Sequence, residues 1–283
     1  MAIVPRRGGG TALVAAAFLQ AASVQPAMAG PENPQVVSGS ATIQQQGSAW
    51  SITASNNAII NYNAFDIASH ERVEFIQPGA DARVLNRIVG EAPTRIDGTL
   101  LANGRVYFVN PAGVIFGAGS VINVGGLVAA AANLSNEDFL AGRDRFTNVS
   151  GDVTNHGFIS ARGADSALAD GQSPSVALIG RHVANYGSIV SPQGTVVMAS
   201  GDEVFLGSRE SRVMVRVTET GPSAPDGAGV LNSGDIRAAR GRVTLAAGDI
   251  YGMAVVNTGR IAAPRIDFDG GTNGDLAVSG QLN

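Results

Sequence analysis

Asp202 and Asp249 come closer to a catalytic arrangement than any other residues in this chain. Each follows a glycine at the end of a matching segment, Gly194-Thr195-Val196-Val197-Met198-Ala199-Ser200-Gly201-Asp202 and Gly241-Arg242-Val243-Thr244-Leu245-Ala246-Ala247-Gly248-Asp249. Two carboxylates stacked beside a basic partner could cleave a glycosidic bond by acid–base chemistry. The remaining acidic residues are scattered, and Asp after Gly is an ordinary turn residue. His70, His156 and His182 fall in separate segments without metal-ligand spacing. No Gly-x-Ser-x-Gly elbow and no phosphate loop occurs. Asp269-Gly270-Gly271-Thr272-Asn273-Gly274-Asp275 has the composition of a calcium-binding glycine turn, but it occurs once and its spacing is off by one. With no cysteine, disulfides, thiolate metal sites and cysteine nucleophiles are excluded. No catalytic residue, metal site or cofactor is expected. The chain reads as a recognition protein, not an enzyme.

Any site must sit on the elements the repeats build. Four segments share Asn-x-Gly-x-Ile: Asn155 to Ile159, Asn185 to Ile189, Asn232 to Ile236 and Asn257 to Ile261. A turn, a short strand, a glycine corner and another short strand make up the unit, with apolar residues alternating along each strand as in a half-buried sheet. Glycine at the corners permits positive φ, and Asn tolerates the same region. The four asparagines are 30, 47 and 25 residues apart, and a coil of about 20–30 residues fits a stacked-repeat architecture. The long interval predicts an excursion at about 203–230: strands Val204-Phe205-Leu206 and Val213 to Val217 around a polar turn, then a Gly/Pro-rich return. Only Asn136 to Arg143 looks helical. An all-β parallel β-helix with a hairpin projecting from it is predicted, with an antiparallel sandwich as the structural alternative. Trp50 with Ile52 is expected to seal one end.

Arg6 and Arg7, the apolar run Thr11 to Val24, Pro26 and Ala27-Met28-Ala29 read as a secretory signal peptide over 1–29, cleaved after Ala29 so that Gly30 begins the mature chain. The apolar run is shorter than the roughly 20 residues that span a bilayer. All 19 basic residues are arginine, and without Arg6 and Arg7 there are 17 against 23 acidic residues. A mildly acidic, lysine-free surface argues against a nucleic-acid partner.

The N-terminal half carries a more specific pattern. Its ordered segments are Ala58-Ile59-Ile60-Asn61-Tyr62-Asn63-Ala64-Phe65-Asp66-Ile67, Glu71 to Pro78, Val84 to Ile88, Gly98-Thr99-Leu100-Leu101-Ala102-Asn103-Gly104, Val109-Asn110-Pro111-Ala112-Gly113-Val114-Ile115-Phe116-Gly117 and Gly125-Gly126-Leu127-Val128-Ala129. In order and spacing this series resembles the N-terminal secretion domain of filamentous haemagglutinins and high-molecular-weight adhesins, the exported partners of two-partner secretion in Gram-negative bacteria. The resemblance runs from about Gln35 to Phe146 and more loosely to about Ile261.

The resemblance implies a right-handed, single-stranded parallel β-helix with an N-terminal cap, 30–150 forming cap and secretion core and 151–283 continuing the coils. The leader, with Gly8-Gly9-Gly10 after Arg6-Arg7 in place of the bulky apolar residue of a twin-arginine signal, points to the Sec machinery, and the resemblance implies recognition in the periplasm by the POTRA domains of an outer-membrane β-barrel. The product would be secreted or surface-bound, with a host or cell-surface receptor or glycan as a further partner. The family's Asn-Pro-Asn-Gly-Ile signature maps onto Asn110, Pro111, Ala112, Gly113 and Val114, with Ala and Val at the third and fifth places, and makes Asn110, Pro111, Gly113 and Val114 the candidate recognition turn. Physically the segment is a β-turn in which Pro fixes φ, Asn bonds back to the chain and Gly takes positive φ. Competing expectations are a secreted β-helix carbohydrate-active enzyme and the carrier stalk of a contact-dependent toxin, since fold alone does not set function.

Overall fold

The computed structural model describes residues 29–161, 175–206, 213–216, 227–248, 253–272 and 274–283. Among them, three long sheets of ten, nine and seven strands run side by side, and the chain visits each in turn. One coil takes Thr94–Ile96, Thr99–Ala102 and Arg105–Val109, and the next takes Val114–Phe116, Val121–Val124 and Gly126–Ala130, paired parallel strand by strand. This is a parallel β-helix, as expected. The 47-residue interval is one coil with an excursion, because Asn185 pairs directly with Asn232. The sheets pass residue 150 without a break, Val114 pairing with Val153.

Alternation along each strand sends one set of side chains inward. Val84, Val106, Leu127, Val176, Val196 and Val243 stand in register on successive coils, each with no exposed surface. Burying each aliphatic contributes about 1.5–3 kcal/mol, and a single coil has nothing to bury its face against, so stacking is obligatory. Near the N-terminus the interior is aromatic. Phe65 lies 5.0 Å from Tyr62, 6.3 Å from Phe75 and 4.9 Å from Phe108, centroid to centroid.

The cap consists of antiparallel additions to the first coil. Gln35–Ser38 pairs with Ala58–Tyr62, Ala41–Gln46 with Ala49–Ala54, and Pro31–Glu32 with Ala64–Phe65. Ile52 is buried, and Trp50 packs against the same core.

Residues facing outward from the nine-stranded sheet form a second core. Ile59, Leu85, Tyr107, Val128, Ala177 and Val197 make an apolar row there. Its cover is the helix Asn136–Leu140, with Ser135 Oγ accepting from Asp138 N at 3.0 Å as its N-cap, and an antiparallel sheet of Asp144–Phe146, Glu203–Leu206 and Val213–Arg216. The hairpin thus leaves the coils where expected and lies against the nine-stranded sheet. The sequence reading missed its third strand, Asp144–Phe146.

The corners depart from the expected mechanism. Neither the four repeat asparagines nor Gly157, Gly187, Gly234 and Gly259 have positive φ. Glycine is there because successive corners nearly touch: a Cβ on Gly187 would sit 2.2 Å from Gly157 O, and one on Gly234 2.1 Å from Gly187 O.

Candidate functional site

The Asn110 turn lies at a corner of the helix, wedged between two neighbouring coils. Asn110 has no exposed surface. Its main-chain N donates to Ala130 O at 3.0 Å and its O accepts from Gly113 N at 3.0 Å, which closes the turn. The side chain is equally committed. Nδ2 donates to Ala92 O at 2.9 Å and Thr94 Oγ1 at 3.1 Å, while Oδ1 accepts from Ala112 N at 3.0 Å. The asparagine amide supplies both donor and acceptor at this length, so Ala here would strip a partner from the buried Thr94 Oγ1 and from the less buried Ala92 O and Ala112 N.

Gly113 takes φ 125°, a backbone state that side chains disfavour. Its O accepts from Thr94 N at 3.0 Å, and Val114 N donates to Asp152 O at 3.0 Å, so the turn ties the coil before it to the coil after it. Ser150 Oγ adds a bond to Pro111 O at 2.9 Å. Val114 points into the core and is fully buried. Pro111 and Ala112 remain partly exposed, lining a shallow groove of about 540 Å³ with Arg87, Val89, Glu91 and Asn133. Arg87 donates to Leu134 O at 2.7 Å and Asn61 Oδ1 at 3.3 Å, and burial pulls its guanidinium below the ordinary arginine value. Of the four candidate recognition residues, then, three are buried in the folded protein and only Pro111 reaches the surface.

A second polar line was not anticipated. Asn155, Asn185, Asn232 and Asn257, all fully buried, form a ladder in which each Nδ2 donates to the next Oδ1, at 2.8, 2.8 and 2.7 Å. The recurrence of Asn with Gly two residues on was the available signal; its use as a side-chain ladder was not deducible from turn propensity.

Among the described residues, those considered for catalysis do not converge. Asp202 is partly exposed after Gly201, and its main-chain O accepts from Val149 N at 3.2 Å; Asp249 lies outside the described residues. His156 stacks on Tyr186 at 4.8 Å, His182 Nδ1 sits 2.9 Å from Asp152, and His70 is exposed elsewhere. Among the described residues no three His, Cys, Asp or Glu side chains group as metal ligands, and no helix is long and apolar enough to cross a membrane. Ala29 and Gly30 lie at the edge of the cap, while Ala27 is outside the described residues.

A capped parallel β-helix with a laterally covered sheet and an Asn-Pro-x-Gly turn anchored by a buried Asn110 defines a β-solenoid module. The family model of the TPS secretion domain matches residues 22–278. The chain belongs to this family, the secretion domains of two-partner secretion exoproteins. Two curated relatives, each named heme/hemopexin-binding protein and both from Haemophilus influenzae, are 32% identical over 213 residues and 39% identical over 107 residues. Those matches cover 73% and 37% of this chain but only 23% and 11% of the relatives. The crystal structure of the HMW1 secretion domain from Haemophilus influenzae superposes with a TM-score of 0.77 at 26% identity, covering 90% of this chain and 66% of that one. The filamentous hemagglutinin secretion domain shares the fold, with a TM-score of 0.52 at 16% identity, over 90% of this chain and 99% of that one. Family membership implies an outer-membrane transporter as partner and a secreted or surface destination.

Proposed function

We propose that this chain is the secretion module of a two-partner-secretion exoprotein, that a dedicated outer-membrane barrel reads it, and that the reading happens before the domain folds. The Sec machinery delivers it to the periplasm, the leader is removed after Ala29, and POTRA domains of the barrel capture the extended chain. Asn110, Pro111, Gly113 and Val114 are recognised in that extended state. The supporting observation is the complete burial of Asn110 with every side-chain polar atom bonded. A partner meeting the folded domain finds none of those groups available. An extended chain offers them, together with unpaired main chain for strand addition. Folding outside the cell then withdraws the edges.

The domain itself is non-catalytic in this reading, which the relatives support by being exoproteins. Contact with a host or cell-surface receptor or glycan is a second role, assigned to the whole exoprotein. The test measures binding of the isolated periplasmic domains of the cognate barrel to this chain, either refolded or freshly diluted from urea. The diluted chain is expected to bind and the refolded chain not to, with Asn110→Ala weakening the former. Equal binding of the folded domain refutes recognition before folding. Export of Asn110→Ala to the medium at the wild-type level refutes the role of the turn.

A further inference from the structure

We infer that the folded cap closes over its own processing site: once the cap has formed, the Ala29–Gly30 bond is shielded from signal peptidase, so leader removal must precede cap closure. This rests on the reading of residues 1–29 as a leader. Gly30 is buried, with φ 127°, and a Cβ added to it would lie 2.7 Å from Trp50 Cζ2 and 2.9 Å from Trp50 Nε1. The backbone at the first mature residue is therefore pressed against the indole ring.

Structure continues without slack. Pro31 is buried, Pro31–Glu32 runs antiparallel to Ala64–Phe65, and Asn63 N donates to Glu32 O at 3.0 Å. Phe65 cannot follow that strand outward, since Tyr62, Phe75 and Phe108 surround it. Ala29 is only partly buried. A peptidase must hold extended chain on both sides of the bond it cuts, and strand-like docking requires free main chain there. The residues it needs on the mature side, 30 to 32, are those the cap holds. Cleaving the folded precursor therefore requires local opening of the cap, which lowers the rate by the fraction of time the cap is open.

The same geometry explains glycine at position 30. It is demanded by Trp50 and by positive φ in the folded cap. Gly30→Ala should accordingly be cut as fast as wild type when unfolded, yet close its cap poorly.

The full-length chain with its leader, refolded in detergent micelles, is exposed to purified signal peptidase beside the same chain diluted from urea at mixing. Mass spectrometry identifies the new N-terminus and gives the rate. The refolded chain is expected to be cut roughly tenfold more slowly or worse, as local opening becomes limiting. Trp50→Ala and the milder Gly30→Ala should each recover most of that loss, with circular dichroism showing that the coils persist. Equal rates for folded and unfolded wild type overturn the shielding while leaving the leader reading intact. Absence of any cut between Ala29 and Gly30 in both forms overturns both. Full protection in Gly30→Ala with its coils intact shows the shield lies elsewhere and overturns the assignment to the Gly30–Trp50 contact.

Discussion

Replacing Asn185 by Ala, and separately Asn257 by Ala, tests how the buried amide ladder stabilises the coils. Asn185 stands in the middle. Its Oδ1 accepts from Asn155 Nδ2 at 2.8 Å and its Nδ2 donates to Asn232 Oδ1 at 2.8 Å. Truncation strips a partner from a buried donor on one side and a buried acceptor on the other. At about 1–3 kcal/mol for each group left unsatisfied, the loss is about 2–6 kcal/mol, a large part of the roughly 5–15 kcal/mol of a typical domain. Asn257 ends the ladder, and its Nδ2 is already buried without a partner. Truncating it orphans Asn232 Nδ2 but removes an existing orphan, so the two polar terms nearly cancel. Both substitutions delete the same side-chain volume. Their difference therefore isolates the polar contribution at about 2–6 kcal/mol. Urea unfolding followed by circular dichroism gives the two midpoints, compared at equal slopes because stacked coils need not unfold in two states. If Asn257→Ala destabilises as much as Asn185→Ala, the reasoning fails.

Gly187→Ala should destabilise strongly, since its Cβ would meet Gly157 O at 2.2 Å and main chain must move; thermal melting measures the shift. Tyr62→Phe should leave stability unchanged or raise it by about 1 kcal/mol, because the Tyr62 hydroxyl is buried without a partner and burial drives its pKa far above the ordinary value; a lower urea midpoint would contradict this. Phe139→Ala should cost about 3–5 kcal/mol, and hydrogen exchange should rise in 136–146 and 203–206 while the coil strands stay protected. Hydrogen bonds from Arg143 and then Ser135 hold the Asp138 carboxyl below its ordinary value. The stabilisation they give is present above the unfolded carboxylate pKa and is lost as pH falls through the lower folded one. The effect is small because the pair faces solvent; Asp138→Asn should remove that part of the acid dependence in melts taken across the acid range.

Much of the architecture was legible because β-helix coils write themselves locally. Asn-x-Gly-x-Ile recurs where one strand ends and the next begins, and the 47-residue interval announced the hairpin around Glu203. Lateral pairing was not legible: Asp144–Phe146 joins Glu203–Leu206 across a long stretch of chain, and nothing within either segment names the other. The corner asparagines were read for their backbone tolerance, whereas their amides bond along the axis, a use visible only when coils are stacked in register. At the signature turn, residue types gave the local bonds from Asn110 to Ala112 and the positive φ at Gly113. They could not give the bonds to Ala92 and Thr94, which depend on the preceding coil lying alongside.

The lateral cover also imposes a delay. Arg145 and Glu203, joined by an ion pair, are 58 residues apart in sequence. A chain emerging from its N-terminus has Asp144–Phe146 in place long before the strand that pairs with it exists. Throughout that interval an open strand edge borders an apolar sheet face on which Phe139 and Phe146 already sit but Val204 and Leu206 do not. This is when the growing molecule is most prone to pair with the wrong neighbour, and the time taken to supply those 58 residues sets how long the risk lasts.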